Sequence, residues 1–96
     1  MSVSDELRLS LDRALEPTAL EIMDESASHH GHAGWREGGE THFRVLVVSQ
    51  RFTGLSRIDR QRLVHAAAAD LLHERIHALS IRALTPAEAS AAAASA

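Results

Sequence analysis

Apolar positions divide the 96-residue chain into segments of helical and of extended spacing. Over residues 5–16 they recur on one helical face, and Ser4 or Ser2 precedes this segment as a capping residue. Residues 20–25 alternate between apolar and polar, which is typical of a half-buried strand. Residues 43–48 are almost wholly apolar or β-branched and predict a strand that is buried on both faces. The first half therefore predicts one helix and two strands.

The second half of the chain predicts a helix, a third strand and a last helix. Ser56 can cap a helix that continues to Glu74. Its expected apolar stripe consists of Leu63, Ala66, Ala67 and Leu71. Residues 76–84 form a strand pattern, with the side chains of His77, Leu79, Ile81 and Ala83 on one face. Thr85-Pro86-Ala87-Glu88 is a capping box that begins the last helix, which we expect to fray beyond Glu88.

The element order α-β-β-α-β-α predicts an α+β fold of two layers. A three-stranded mixed sheet carries the helices on one face, and the third strand runs parallel to the second because a helix joins them. We expect one domain over residues 1–88 and an alanine-rich C-terminal tail over residues 89–96. Residues 26–40 contain four glycines and no apolar period, and are predicted to be a mobile loop between the first two strands.

Composition excludes several classes of function. The chain has no cysteine, so it cannot build a disulfide or a thiolate metal site by itself. Apart from histidine, every basic side chain is an arginine. The net charge of −3 argues against a dedicated nucleic-acid binder but allows a local basic patch. No stretch is long and apolar enough for a membrane span, and the first residues lack the features of a signal peptide, so a soluble cytoplasmic protein is expected. No nucleophile, base and oxyanion site can be assigned together, so we expect no enzyme.

Histidine is the unusual component, with seven residues. Spacing alone favours a structural role for His77, at the start of the third strand, over a metal-binding role. His29, His30 and His32 lie in the glycine-rich segment, where solvent-exposed side chains and metal ligands are equally compatible with the pattern. His42 directly precedes the buried strand, which fixes its position.

Four arginines surround the turn from the second strand to the second helix: Arg51, Arg57, Arg60 and Arg62. They could bind phosphates or an acidic partner, assisted by the positive end of the helix dipole. An ordinary solvated turn is an equally good interpretation of the same pattern.

Five segments together resemble the BolA family. They are Asp24-Glu25-Ser26-x-x-His29, Thr41-His42-Phe43-Arg44-Val45-x-Val47-Val48-Ser49-x-Arg51-Phe52-x-Gly54, Arg60-x-Arg62-Leu63-Val64, Ile76-His77-Ala78-Leu79-Ser80 and Thr85-Pro86. The resemblance implies a fold similar to class II KH domains. It also implies a monothiol glutaredoxin partner and a [2Fe–2S] cluster that the two proteins and glutathione share, in iron–sulfur trafficking or iron sensing.

The resemblance assigns His77 as one cluster ligand and His29 as the second, with His30, His32 and His42 as alternatives. Imidazole nitrogen can replace thiolate on one iron of such a cluster. The alternative function is a DNA-binding transcriptional regulator of stress response and morphology, acting through the second helix and its arginines. A KH domain that binds nucleic acid would need a Gly-x-x-Gly loop, and the only such sequence here, Gly31 to Gly34, lies in a different loop. Alone, the chain is expected to be a monomer or a weak homodimer.

Overall fold

A computed structural model describes residues 2–25 and 42–95. Its elements follow in chain order: α1 (Val3–Leu15), β1 (Ala19–Asp24), β2 (His42–Val48), a short 3₁₀ turn (Gln50–Phe52), α2 (Arg57–Ala67), α3 (Ala69–Glu74), β3 (Ala78–Leu84) and α4 (Pro86–Ser95). The predicted loop over residues 26–40 lies outside the described residues. Among those described, no helix is long and apolar enough to cross a membrane.

The three strands form one mixed sheet with β2 in the centre. β1 pairs with β2 in antiparallel orientation, with Ile22 opposite Val45. β3 pairs with β2 in parallel orientation, with Ile81 opposite Val45 on the other side. The predicted α+β class and the mixed sheet are therefore confirmed. The helical connection through α2 and α3 is what allows β3 to run parallel to β2.

The core lies between the helices and one face of this sheet. From β2 it takes three buried side chains, Phe43, Val45 and Val47. From α1 it takes one buried residue per turn, namely Val3, Leu7, Leu11 and Leu15. The prediction that β2 is buried on both faces is wrong for Arg44, which is exposed, and incomplete for Leu46, which is half-buried. Because the helices cover one face of the sheet, the opposite face of a central strand stays accessible.

The predicted helix over residues 56–74 is divided into α2 and α3 at Ala68. There the backbone has φ −107° and ψ 14°, while the Ala68 N–H still bonds the carbonyl of Val64. The buried stripe contains Val64, Ala68 and Leu71. Ala66, which the sequence placed in the stripe, is exposed. The bend and a stripe shifted by about one residue are thus the two departures in this segment.

The predicted capping box of α4 is confirmed. The Glu88 N–H donates to the Thr85 Oγ1 at 3.2 Å, and the Thr85 N–H donates to the Glu88 carboxylate at 2.8 Å. The expectation that the helix frays beyond Glu88 is not met, since α4 continues to Ser95. Alanine has the highest helix propensity, which accounts for continuation without buried anchors.

Candidate histidine site and arginine pocket

Two imidazoles, of His42 and His77, lie side by side at one end of the sheet. Their ring centres are 5.9 Å apart and their planes are tilted by 50°. His42 is half-buried at the first position of β2, and His77 is exposed immediately before β3. We call these two residues the histidine pair.

The parallel register brings the histidine pair together. His42 is the partner of Ala78, so the residue before Ala78 comes beside the start of β2. Ile76, which is buried, fixes the chain just before His77, and its N–H donates to the Leu71 carbonyl at 2.7 Å. The two histidines are 35 residues apart in sequence, and their imidazoles lie at the same end of the sheet because parallel strands begin at the same end.

The spacing of the pair suits metal binding. Since a bond from metal to imidazole nitrogen is about 2.0–2.1 Å, two rings on one metal ion have centres roughly 5–6 Å apart. Histidine nitrogen is a competent ligand for iron, zinc and copper. Within residues 2–25 and 42–95, no group of three or more histidine, cysteine or acidic residues could hold a metal ion. The described residues therefore offer an incomplete site with two nitrogen donors.

The remaining candidate ligands are His29, His30 and His32, and all three lie outside the described residues. The structure places His77 at an accessible end of the sheet. Its neighbour there is His42, one of the predicted alternative ligands. His29 as the second ligand, with His30, His32 and His42 as alternatives, stays a prediction.

Three of the four predicted arginines are engaged with carboxylates. Arg51 pairs with Glu16, and Arg62 with Asp59 at 3.4 Å along α2. The guanidinium of Arg60 forms two bonds with Glu88, at 2.6 and 3.2 Å. Their positive charges are thus largely balanced by neighbouring groups.

Arg60 has a structural role between α2 and α4. Its side chain is only 14 % exposed and donates to the carbonyls of Leu55 at 3.1 Å and Ala83 at 3.2 Å. The hydrogen bonds from Arg60, and then from the Thr85 N–H, lower the pKa of Glu88 to about 2. The same contact raises the pKa of Arg60. This ion pair fastens the beginning of α4 to α2.

Arg57, the fourth predicted arginine, lies in a pocket of about 730 Å³ between α2, β3 and the start of α4. We call this the arginine pocket; its charged and polar lining residues are Arg57, Arg60, Gln61, Arg82 and Glu88. Sequence reasoning missed Arg82 because it follows in β3, 25 residues after Arg57. The sequence did indicate that Arg82 is exposed, because it alternates with the apolar Ile81 and Ala83 along a predicted strand.

The same chain architecture and sequence pattern are found in known proteins. The family model described as BolA-like protein matches residues 11–88. The chain belongs to the BolA family. This BolA chain is 51 % identical over 82 residues to human BolA-like protein 1, a match that covers 85 % of this chain and 57 % of the human protein. The chain thus spans little more than half the length of that relative.

Two further relatives extend the comparison of this BolA chain. The Escherichia coli protein named DNA-binding transcriptional regulator BolA is 35 % identical over 85 residues, covering 88 % of this chain and 77 % of its own length. The solved BolA domain of SufE1 from Arabidopsis thaliana has a TM-score of 0.82 and 42 % identity, covering 92 % of this chain and 96 % of that one. The E. coli relative is named as a regulator and not as an enzyme.

Proposed function

We propose that this BolA chain is a non-enzymatic adaptor that pairs with a monothiol glutaredoxin and helps to hold a bridging [2Fe–2S] cluster. The observation that carries the proposal is the histidine pair, with ring centres 5.9 Å apart at an accessible end of the sheet. One nitrogen comes from His77. The second comes from His29 or from one of its alternatives, His42, His30 and His32.

The donor set of the chain supports a shared cluster. A [2Fe–2S] cluster takes four protein or thiol ligands, and histidine pairs on one iron occur in such clusters. This chain contributes nitrogen and has no cysteine, so a glutaredoxin cysteine and the thiol of glutathione would complete the set. When bound, such a cluster supplies an iron–sulfur group for transfer or for iron sensing.

The ligand assignment can be tested by anaerobic reconstitution of the chain with a monothiol glutaredoxin, glutathione, iron and sulfide. We expect a visible circular dichroism spectrum that differs from that of the glutaredoxin homodimer. His77→Ala should abolish this difference while the far-ultraviolet spectrum stays native, because His77 is exposed and precedes β3. His73→Ala, on the exposed face of α3, is the matched control and should retain the spectrum.

The second ligand is identified by the same measurement on His42→Ala and His29→Ala. Loss of the mixed spectrum in one of these variants assigns the nitrogen to that residue. If neither has an effect, His30→Ala and His32→Ala test the remaining alternatives. A mixed spectrum that persists in His77→Ala would overturn the proposed ligation.

DNA binding is the second candidate function, and the printed name of the E. coli relative favours it. Arg51, Arg60 and Arg62 are paired with carboxylates, and the net charge is −3, so we rank it second. It predicts duplex affinity that falls steeply with salt and falls further when Arg57 and Arg62 are changed to glutamine. Affinity that is indifferent to salt and to both substitutions would remove this candidate.

A further inference from the structure

We propose that the arginine pocket binds the phosphate group of a small molecule. Arg57 and Arg82 both line it, and neither has an ion-pair partner in the part of the chain that the structure describes. Glu88 also lines the pocket, but its carboxylate is held by Arg60 on both oxygens. The charged residues that line the pocket sum to a net charge of about +2, and the two without an ion pair among the described residues are Arg57 and Arg82, of which Arg82 also lines the neighbouring hollow on the helix-free face of the sheet.

The edge of β3 adds main-chain donors to the pocket. The Leu84 carbonyl accepts from the N–H of Ser49, which follows β2, so the N–H and C=O of Leu84 point toward β2. The carbonyls of Ile81 and Ala83 instead accept from Gln61 and Arg60 of α2, and so face outward. Because the N–H and the C=O of a strand residue point to the same side, the amides of Ile81 and Ala83 also face outward, at the pocket.

This arrangement favours an anion over an added β-strand. A strand that pairs with an open edge needs both donors and acceptors from that edge. Here the outward acceptors of Ile81 and Ala83 are already occupied by the side chains of α2, at 3.2 Å each. Donors remain, and donors alone are what an oxyanion requires.

The chemistry of the donors favours a phosphate group. Guanidinium groups form paired hydrogen bonds with phosphate oxygens, and Arg57 and Arg82 can approach from two elements. Arg57 is also the first residue of α2, where the helix dipole contributes partial positive charge. A pocket of about 730 Å³ has the size of a small-molecule site, so the phosphate would be one end of a larger ligand.

The arginine pocket is separate from the histidine pair. His77 precedes β3, and Arg82 lies five residues further along, at roughly 3.3 Å per residue or about 16 Å. This inference does not depend on the proposed cluster function. Failure of one leaves the other standing.

The test is a titration of the ¹⁵N-labelled chain at constant ionic strength, followed by amide chemical shifts. The probes are inorganic phosphate and adenosine 5′-monophosphate. We expect saturable shifts at the amides of Ile81 and Ala83, with affinity reduced about tenfold by Arg57→Gln or by Arg82→Gln. Arg62→Gln removes the same charge from an exposed arginine outside the pocket lining and should leave affinity unchanged.

Each outcome decides the proposal. Tighter binding of the nucleotide indicates a phosphate ester as ligand, whereas equal affinities indicate that the phosphate alone is bound; both support the pocket. Shifts that do not saturate, or an equal loss in Arg62→Gln, would show non-specific charge attraction and overturn it. A DNA duplex that displaces both probes and is weakened equally by all three substitutions would replace the pocket by a nucleic-acid interface.

Discussion

Ser49 is a fully buried polar residue that joins the end of β2 to the end of α1. Its hydroxyl donates to the Leu15 carbonyl at 2.6 Å and accepts from the Arg51 N–H at 3.1 Å. Leu15 is the last residue of α1, where a carbonyl has no partner within the helix. One side chain therefore satisfies a helix end and begins the 3₁₀ turn.

Replacing this hydroxyl should destabilise the fold. Ser49→Ala leaves the buried end of α1 with one hydrogen bond fewer, and we expect a loss of about 1–3 kcal/mol in the free energy of unfolding. Urea denaturation of the variant measures it. Ser80→Ala, an exposed serine on β3, is the control and should change stability by less than about 0.5 kcal/mol. Equal losses in both variants would contradict a special role for the buried hydroxyl.

Single residues also mark what sequence could and could not establish about the candidate site. Position along a predicted strand placed His77 at an accessible sheet end, and the structure agrees. The contact between His42 and His77 depends on the register of β2 and β3, and the apolar periodicity of the sequence does not determine that register. The sequence left a binding role and a solvated turn equally open for Arg60. Its actual partner, Glu88, is 28 residues away and becomes a neighbour only when α4 folds back.

At the scale of elements, helix positions were predicted correctly where capping residues and a clear apolar period marked them, and the bend between α2 and α3 was missed because no such residue marks it. The capping residues and the apolar period of α1 gave its position to within about two residues. The bend at Ala68 lies within four consecutive alanines, Ala66 to Ala69, where no glycine, proline or polar residue marks an interruption. Tertiary packing determines it, since Val64, Ala68 and Leu71 all contact the core.

The junction of α2 with α4 should respond to acid through Glu88. Its pKa in the folded protein is about 2, below the ordinary value of 4.5, because Arg60 and the Thr85 N–H stabilise the carboxylate. A lowered pKa means that this carboxylate stabilises the fold fully above about pH 4.5. The contribution is lost as the pH falls toward about 2.

Thermal denaturation between pH 6 and pH 2 tests this element. We expect the melting temperature of Glu88→Gln to fall less steeply below about pH 4.5 than that of the unchanged chain, since glutamine cannot titrate. Glu21→Gln removes an equal charge from an exposed position on β1 and should keep the original slope. Parallel curves for the unchanged chain and Glu88→Gln would contradict the role of this carboxylate.

At the scale of the whole molecule, one thin core supports the fold. The chain has two phenylalanines, Phe43 and Phe52, and both are buried in an otherwise aliphatic cluster. The order of elements and the choice of apolar positions were sufficient to predict this layered arrangement. The accessible sheet face beside Arg44 was not predicted, because a continuous apolar run is equally compatible with burial on one or both faces.

Loss of one core aromatic should therefore approach the stability of the whole domain. Phe52→Ala is expected to cost about 3–5 kcal/mol, against about 5–15 kcal/mol for a typical domain. The urea midpoint of this variant should fall sharply, and Phe52→Leu should fall less. Met23→Ala, at a residue 52 % exposed, provides the comparison and should be nearly neutral. A similar loss in Met23→Ala would contradict a core confined to the helical side.

The outer edge of β3 influences whether molecules of this chain associate with one another. Gln61 and Arg60 occupy the outward carbonyls of Ile81 and Ala83, which would otherwise offer a template for another strand. We expect the double variant Arg60→Ala/Gln61→Ala to self-associate at lower concentration than the unchanged chain, as measured by sedimentation velocity.

Removing Arg60 also releases α4, so a second variant is needed to separate the two effects. Glu88→Ala breaks the ion pair that fastens α4 but leaves Arg60 and Gln61 able to donate to β3. If the occupied carbonyls keep the edge from pairing, Glu88→Ala should sediment like the unchanged chain while the double variant associates. Equal association in both variants would instead assign the protection to α4. If the sedimentation of the double variant does not depend on concentration, the edge is protected neither by the side chains of Arg60 and Gln61 nor by the attachment of α4.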